Sequence, residues 1–299
     1  MSAHGSWPFG LRIERQIDGD RSTGSPETRA RVEERVRFVS VFGMAALQAA
    51  HVARRLQGNV PSWTKAGDTP ESAALTMADL TSQDVLLEPL RAAFPQVAVD
   101  AEEETELAGA FPPEAPGRPL IIVDPIDGTF NYAHGSADFA VMGAWLDGGH
   151  YQAAVVALPT ANLLYWAIRG AGCWCLRVGM QPERVAITAP PQRVFLTPRT
   201  PQAWHERLRR AGWEPETSRC SAIDSAAPAL GAACAALSSH GADRRRAIPL
   251  LLTLEAGGTV LAGTTSWNRE DPGGARPSSG TLVVAATSDL AQRIARAVC

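Results

Sequence analysis

The 299-residue chain carries 28 Lys and Arg residues against 31 Asp and Glu residues, which gives a formal net charge of −3. This balance lacks the basic excess that nonspecific binding to nucleic acid requires, so we expect no nucleic-acid partner. With 45% hydrophobic residues, the chain can bury a large core as one compact unit or as two closely packed halves. The five Cys residues form no Cys-x-x-Cys pair, which indicates neither a disulfide framework nor a zinc knuckle and predicts a cytoplasmic protein.

The N-terminal third is predicted to be helical behind a loose arm. Residues 1–27 are polar and rich in Ser and Gly and lack the pattern of a secretory signal. Apolar residues at helical spacing predict one long core helix over 28–56 and a second helix over 77–94. The longest apolar stretch, 36–50, is interrupted by polar residues and too short to span a bilayer, so we expect no membrane segment.

The rest of the chain alternates between strand and helix patterns. Short apolar runs at 97–99 and 120–123 each end in acidic residues, and the second indicates a buried strand. Four β-type runs predict an antiparallel sheet, at 139–146, 151–158, 163–168 and 185–188. An α/β half follows, with predicted strands at 194–196 and 281–286 and predicted helices at 201–211, 223–237, 247–256 and 290–298.

The strongest chemical signal is the segment Asp124-Pro125-Ile126-Asp127-Gly128-Thr129, in which an apolar strand leads directly into two carboxylates three residues apart. Pro125 stiffens the turn, and Gly128 and Thr129 offer backbone N–H groups at the expected start of a helix. Carboxylates suit a hard cation and N–H donors suit an anion, so the segment predicts a metal and phosphate site. An Asx-type turn with Asp127 as a helix cap is the competing interpretation of this motif alone.

This segment, continued by Asn131-Tyr132, resembles the signature of the inositol monophosphatase family. Two upstream elements occur in the same order as in that family, Thr76-Met77-Ala78-Asp79 and Ala101-Glu102-Glu103. The resemblance extends over about residues 30 to 299 and implies Mg²⁺ as the cofactor. It implies metal ligation by Glu102, Asp124, Asp127 and the carbonyl of Ile126, a catalytic role for Asp79, Thr129 and Glu102, and phosphate binding by Gly128 and Thr129.

Two later segments also match the family. Ser221-Ala222-Ile223-Asp224 resembles a helix start that contributes to substrate binding through Ser221 and Ala222, and Glu255-Ala256-Gly257-Gly258 resembles a turn into a strand. His134 follows the central motif, but a lone His in a turn is most often structural, and we assign it no catalytic role.

One departure from the family concerns the second metal. The family carries Trp-Asp at the start of the helix before the Gly-Gly turn, and counting back from Glu255 places Arg244-Arg245 there. One interpretation is that Asp243 supplies the late metal ligand. The other is that Arg245 takes over part of the second cation's work or binds a second anionic group of the substrate, which predicts a substrate with an extra negative group.

These observations predict an α/β (α+β) protein with the layered αβαβα fold of the sugar phosphatases. The N-terminal α+β half is expected over 28–190, the C-terminal α/β half over 191–299, and the active site between them. The predicted activity is hydrolysis of a small phosphate ester, such as an inositol monophosphate-like polyol or sugar phosphate, by in-line attack of a metal-bound water. Alternative substrates are a 3′-phosphoadenosine nucleotide, histidinol phosphate and fructose bisphosphate; a weakened or inactive relative that binds a phosphometabolite is a further alternative. We expect a homodimer.

Overall fold

The computed structural model describes residues 26–60, 62–64, 74–188, 191–198, 200–239, 244–263, 265–266 and 280–298. These residues form two large β-sheets, a separate two-stranded sheet and three layers of helices, and the large sheets and helices are stacked in the order helix, sheet, helix, sheet, helix. The predicted αβαβα architecture is therefore confirmed. The predicted loose arm lies outside the described residues, apart from the first turn of the first helix.

Helices α1 (Pro26–Leu56) and α2 (Met77–Ala93) form the first layer. The α1 helix buries Phe38, Phe42 and Ala49 against the larger sheet, because these positions recur on one helical face. Its segment Arg29–Leu56 is long and apolar enough to cross a membrane, but 56% of its most apolar window is buried inside the fold. This packing is that of a core helix.

The first sheet has seven strands, β3 to β9, arranged in chain order. Strands β3 and β4 are parallel, whereas every later pair is antiparallel. A two-stranded ribbon, β1 and β2, precedes it. The bounds are β1 Ser62–Thr64, β2 Ala74–Thr76, β3 Ala98–Ala101, β4 Leu120–Asp127, β5 Ala140–Asp147, β6 His150–Leu158, β7 Leu163–Ile168, β8 Gly172–Arg177 and β9 Glu183–Val185.

The second sheet has six strands in the order β11, β10, β12, β15, β13, β14, and β10 is parallel to both of its neighbours. The bounds are β10 Arg193–Leu196, β11 Glu214–Glu216, β12 Ala235–Ser238, β13 Thr259–Ala262, β14 Thr265–Ser266 and β15 Leu282–Ala285.

Short helices fill the space between the sheets and cover the outer face of the second sheet. The middle layer contains α5 (Ser221–Ala226) and α6 (Leu250–Glu255), which pack against strands of both sheets. The outer layer contains α4 (Gln202–Arg210) and α7 (Ser288–Val298). The short α3 helix, Thr129–Ala133, follows β4 directly.

The structure corrects several sequence predictions. The predicted helix over 223–237 is wrong, because α5 ends at Ala226 just before Pro228, and Gly231 then takes a positive φ before β12 begins. The predicted helix over 247–256 begins only at Leu250, directly after Pro249. The predicted strand at 185–188 ends at Val185, and strand β8 was missed because its Cys and Trp residues do not alternate with polar ones.

The Glu-Ala-Gly-Gly turn joins the two sheets. The Glu255 carboxylate accepts hydrogen bonds from the backbone N–H groups of Gly170 and Gly172, at 3.1 and 3.0 Å, in the β7–β8 turn. A Cβ atom at Gly258 would lie 2.7 Å from the carbonyl oxygen of Ala285, so only glycine fits beside β15. This segment therefore supports the fold.

Candidate active site

The parallel pairing of β3 and β4 brings two predicted metal ligands together. Ala101 pairs in register with Val123, so Glu102 and Asp124 follow at the same edge of the sheet. Their carboxyl groups are hydrogen-bonded to each other, and Asp124 is only 4% exposed. Burial raises the pKa of Asp124 well above its usual range, and the negative charges of Glu102 and Asp127 raise it further, while Arg245 opposes the shift.

One oxygen of Asp124 lacks a hydrogen-bond partner among the described residues. Its Oδ1 atom is buried and has no hydrogen-bond donor within reach in the described part of the chain. An unpaired buried carboxylate oxygen is costly unless a cation or a proton compensates it. A hard cation such as Mg²⁺ therefore fits this position.

The second carboxylate of the motif is turned towards the C-terminal half. Asp127 accepts hydrogen bonds from the Ser221 hydroxyl at 2.6 Å and from the backbone N–H of Ala222 at 2.7 Å. The Cys220 thiol donates to the same carboxylate at 2.8 Å. Burial nevertheless outweighs these donors and raises the pKa of Asp127.

This arrangement bears on three predicted roles. The Ser221 hydroxyl and the Ala222 N–H were expected to donate hydrogen bonds to a substrate, but here they donate to Asp127. Their substrate-binding role stays a prediction, and it requires that Asp127 release these two donors. Metal ligation by Asp127 stays a prediction for the same reason. Cys220 was not identified from the sequence, because a thiol with no other Cys or His at ligand spacing carries no recognisable pattern.

Asp79 and Thr129 are brought together from positions fifty residues apart. Oδ1 of Asp79 lies 3.0 Å from the Thr129 hydroxyl, and its Oδ2 accepts from the backbone N–H and hydroxyl of Thr76, at 2.8 and 2.6 Å. Thr76 and Asp79 thereby form a capping box at the start of α2. Burial raises the pKa of Asp79 to about 6, against the lowering effect of these donors.

The carbonyl of Ile126, a predicted metal ligand, also lies in this cluster. Its oxygen is 2.8 Å from the Thr129 hydroxyl, which has a single proton and therefore donates either to Ile126 or to Asp79. Gly128, the predicted phosphate-binding residue, has a φ of +86°, and a Cβ there would lie 3.0 Å from the Asp138 carbonyl oxygen. The motif thus requires glycine at position 128.

The acidic run 102–104 is fixed by a residue that sequence reasoning missed. The Gln83 side chain, fully buried on α2, donates to the carbonyl oxygen of Glu103 at 2.6 Å and accepts from its N–H at 2.9 Å. This double contact fixes the backbone next to Glu102. Glu102 interacts electrostatically with both Asp124 and Asp79. Its role as the metal ligand of this acidic run stays a prediction.

The Arg244-Arg245 pair lies at the same edge of the sheet. Nη2 of Arg245 donates to the carbonyl oxygen of Ala101 and to Oδ1 of Asp100, both at 2.7 Å. Arg244 binds Glu114 through both Nη atoms, at 2.7 and 2.6 Å, and reaches Asp100 at 3.3 Å. Asp243, the alternative late ligand, lies outside the described residues.

His134 has the structural role expected for it. Its ring Nδ1 lies 2.7 Å from the carbonyl oxygen of Phe130, and the ring packs on the Phe130 side chain.

The residues present fit a cation site with few protein ligands. Among the described side chains, no three His, Cys, Asp or Glu residues have the arrangement of a metal-binding group. Glu102 and Asp124 are in contact, while Asp127 and the Ile126 carbonyl are used within the protein. Mg²⁺ is commonly held by one or two carboxylates together with waters and substrate phosphate, and the pair formed by Glu102 and Asp124 suits that mode.

Comparison with known proteins identifies the family. A sequence profile of the inositol monophosphatase family matches residues 34–299, and the chain belongs to that family. It is 30% identical over 135 residues to the putative Nus factor SuhB of Neisseria meningitidis, covering 45% of this chain and 49% of that protein. It is 33% identical over 100 residues to a fructose-1,6-bisphosphatase/inositol-1-monophosphatase of Thermotoga maritima, covering 33% and 36% of the two chains.

Solved structures agree on the fold. The extragenic suppressor protein suhB of Bartonella henselae matches with a TM-score of 0.69 at 22% identity, over 88% of this chain and 98% of that one. An IMPase/NADP phosphatase complexed with Mg²⁺ and phosphate matches with a TM-score of 0.62 at 18% identity, over 83% and 90%. In sequence, the chain spans about half the length of the SuhB relative that it matches.

Proposed function

We propose that this protein is a Mg²⁺-dependent phosphomonoesterase that hydrolyses a small phosphorylated metabolite. The observation that carries the proposal is the buried Oδ1 of Asp124, which has no partner among the described residues and lies in a carboxylate cluster beside the pair formed by Asp79 and Thr129. Membership of the inositol monophosphatase family, whose members are phosphatases that act on various phosphate esters, supports the same chemistry.

Glu102 and Asp124 would hold the Mg²⁺ ion, which neutralises phosphate oxygens and stabilises the leaving alkoxide when it is bound. The Thr129 hydroxyl has one proton, which it donates to Asp79 or to the carbonyl oxygen of Ile126, and in either case its oxygen would accept a hydrogen bond from a water. That water would thereby be oriented for in-line attack on phosphorus: a new P–O bond forms, the ester P–O bond breaks, and the leaving alkoxide takes up the proton that the attacking water loses. Gly128 and Thr129 would supply phosphate-facing N–H groups.

For the substrate, we propose an inositol monophosphate-like polyol or a sugar phosphate. Arg245 was expected to bind a second anionic group of the substrate, but its guanidinium group binds Asp100 and backbone carbonyls, and the neighbouring Arg244 binds Glu114. This engagement argues against an extra negative group on the substrate. For this reason we prefer neutral polyol phosphates to bisphosphates and phosphoadenosine nucleotides as the proposed substrates, and histidinol phosphate remains an alternative.

We also propose that the protein acts in the cytoplasm as a homodimer, without nucleic-acid or membrane partners. The cysteines at 173, 175, 220 and 234 are all unpaired, which suits a reducing compartment.

The test is phosphate release from a panel of metabolites, with and without Mg²⁺. The panel contains inositol 1-phosphate, glucose 1-phosphate, histidinol phosphate, fructose 1,6-bisphosphate and 3′-phosphoadenosine 5′-phosphate. We expect turnover that EDTA abolishes, and loss of that turnover in Asp124→Asn. The matched control is Asp147→Asn, which makes the same change at the opposite end of the sheet and should leave the rate unchanged. Full activity in EDTA would overturn the metal mechanism.

A second candidate function is binding of a phosphometabolite with little or no turnover. It is favoured by one observation: the chain has Arg245, paired with Asp100, at the position where the family resemblance places an acidic residue. Tight binding of a panel member by calorimetry, without phosphate release at saturating Mg²⁺, would establish this function in place of the first.

A further inference from the structure

The guanidinium group of Arg245 lies across the ends of the two strands that carry the metal site. Nη2 donates to the carbonyl oxygen of Ala101 at 2.7 Å, and Nε makes a longer contact of 3.4 Å to the carbonyl oxygen of Val123. These two residues pair in register, and each directly precedes one carboxylate of the cluster, Glu102 or Asp124. A fixed positive charge therefore borders both.

Neighbouring contacts hold this arginine in place. Asp100 accepts from both Arg244 and Arg245, and Arg244 is fixed in turn by two bonds to Glu114. The Tyr151 hydroxyl donates to the carbonyl oxygen of Arg244 at 2.7 Å, which anchors the backbone of the same segment. These contacts fix the position and orientation of the Arg245 guanidinium group, which is therefore an ordered part of the site.

We propose that Arg245 serves as an internal cation of the carboxylate cluster, so that the protein binds one Mg²⁺ ion where an acidic residue at position 245 would let it bind two. This inference rests on the metal site of the proposed function. An arginine keeps its positive charge at any pH that the protein tolerates, presents only donors, and therefore repels a metal ion while attracting carboxylates.

The number of available anionic ligands agrees with a single ion. Among the described residues, no three acidic, His or Cys side chains form a metal-binding group, and the pair in contact is Glu102 with Asp124. Replacement of Arg245 by Asp would remove the repelling charge and add a carboxylate beside the strand ends. Reversal of a charge beside these carboxylates changes their electrostatic attraction for a cation even at the effective dielectric constants of protein surfaces.

The experiment is Mg²⁺ titration by calorimetry, with thermal unfolding as a second readout. The unmodified protein should bind one Mg²⁺ ion. Arg245→Asp should bind two, and Arg245→Gln should bind the first about tenfold more tightly because a repelling charge is gone. Arg245→Lys keeps the charge and should still bind one ion. The charge-matched control is Arg210→Asp on the surface of α4, where the side chain is 79% exposed, and its Mg²⁺ binding should not change.

Two tight Mg²⁺ ions in the unmodified protein would overturn the inference, and loss of one of them in Asp243→Asn would assign the second ligand to Asp243. Unchanged affinity in Arg245→Gln would also overturn it, and this variant serves if Arg245→Asp does not fold without metal. The experiment distinguishes failure of this inference from failure of the proposed function. One bound ion without turnover of any phosphate ester would refute only the proposed phosphatase activity. Two bound ions with turnover would refute only the proposed role of Arg245 as an internal cation.

Discussion

The Thr129 hydroxyl lies 3.0 Å from Oδ1 of Asp79, at a point where the first turn of α2 meets the first residue of α3. Both residues are buried, so this contact is shielded from solvent. The carboxylate of Asp79 and the carbonyl oxygen of Ile126 are the two acceptors for the hydroxyl proton, and together they fix the position of the Thr129 oxygen. The proposed orientation of the attacking water depends on this geometry.

Removal of the hydroxyl should therefore slow chemistry more than it weakens substrate binding. We expect Thr129→Ala to lower kcat by about 10²-fold with a small change in KM, as for the loss of a group that acts in general acid–base catalysis or water orientation. Thr129→Ser keeps the hydroxyl and is the control. Thr129→Pro also removes the N–H and should abolish turnover. Equal, slight effects of all three variants would contradict the assigned role.

Gln83 should affect Mg²⁺ binding without contacting the ion, because its side chain forms hydrogen bonds with both the N–H and the C=O of Glu103. Gln83→Met is close in volume but leaves a buried N–H and C=O unsatisfied, at a cost of about 1–3 kcal/mol each. We expect lower stability and, through misplacement of Glu102, about tenfold weaker Mg²⁺ binding by calorimetry. Ser82→Ala is the control, because that hydroxyl is buried next to Gln83 and has no hydrogen-bond partner in the described structure. Mg²⁺ affinity that is unchanged in Gln83→Met would limit Gln83 to a structural role.

The sequence was most informative where local pattern and chemistry coincide. The strand leading into Asp124 and the helix starting at Thr129 follow from an apolar run, a proline and a glycine within ten residues. The same applies to α1 and α2, whose helical periodicity matches one buried face each. The segment at 223–237 is different, because almost every residue is apolar or small and both faces are buried, so periodicity gave no contrast.

Long-range contacts could not be predicted from the residues themselves. The meeting of Asp79 with Thr129 was implied only by the family resemblance, and nothing in the sequence connects Gln83 with Glu103 or Arg245 with Ala101. These contacts depend on the parallel register of β3 and β4 and on the packing of α2 at their ends. Side-chain pairing across such distances is a property of the assembled fold.

Asp224 should make stability depend on pH. Burial raises its pKa to about 7 in the folded protein, although Ser218 and Thr217 donate hydrogen bonds to it. The folded state therefore holds the proton between about pH 4 and 7, where the unfolded chain releases it. The resulting stability is present in full below about pH 4 and is lost as the pH rises towards 7, an effect of about 4 kcal/mol.

Urea unfolding in EDTA at pH 5 and pH 8 tests this dependence. Asp224→Asn keeps an oxygen acceptor for Ser218 but cannot ionise, so the decrease in unfolding free energy between the two pH values should be smaller than in the unmodified protein. Buried carboxylates that do not interact with Asp224 contribute the same slope to both proteins, so the difference between the proteins reports on Asp224 and on its electrostatic interaction with Asp127. An identical pH dependence in the two proteins would show that Asp224 is ionised throughout this range.

We predict that Asp124 destabilises the metal-free protein and is required for Mg²⁺ binding. Its buried carboxylate has a raised pKa, an oxygen without a partner in the described structure and two negative neighbours, so near pH 8 its ionised form costs folding free energy. Asp124→Asn removes that charge and offers an amide donor to Glu102. We therefore expect the variant to melt at a higher temperature than the unmodified protein in EDTA. Added Mg²⁺ should raise the melting temperature of the unmodified protein and leave that of Asp124→Asn unchanged, because the variant lacks the charge that the ion neutralises.

Asp147→Asn, far from the cluster, should retain the full Mg²⁺ response. Destabilisation of Asp124→Asn in EDTA, or an unaltered Mg²⁺ shift in it, would show that Asp124 is a structural residue of the turn and that the cation binds elsewhere.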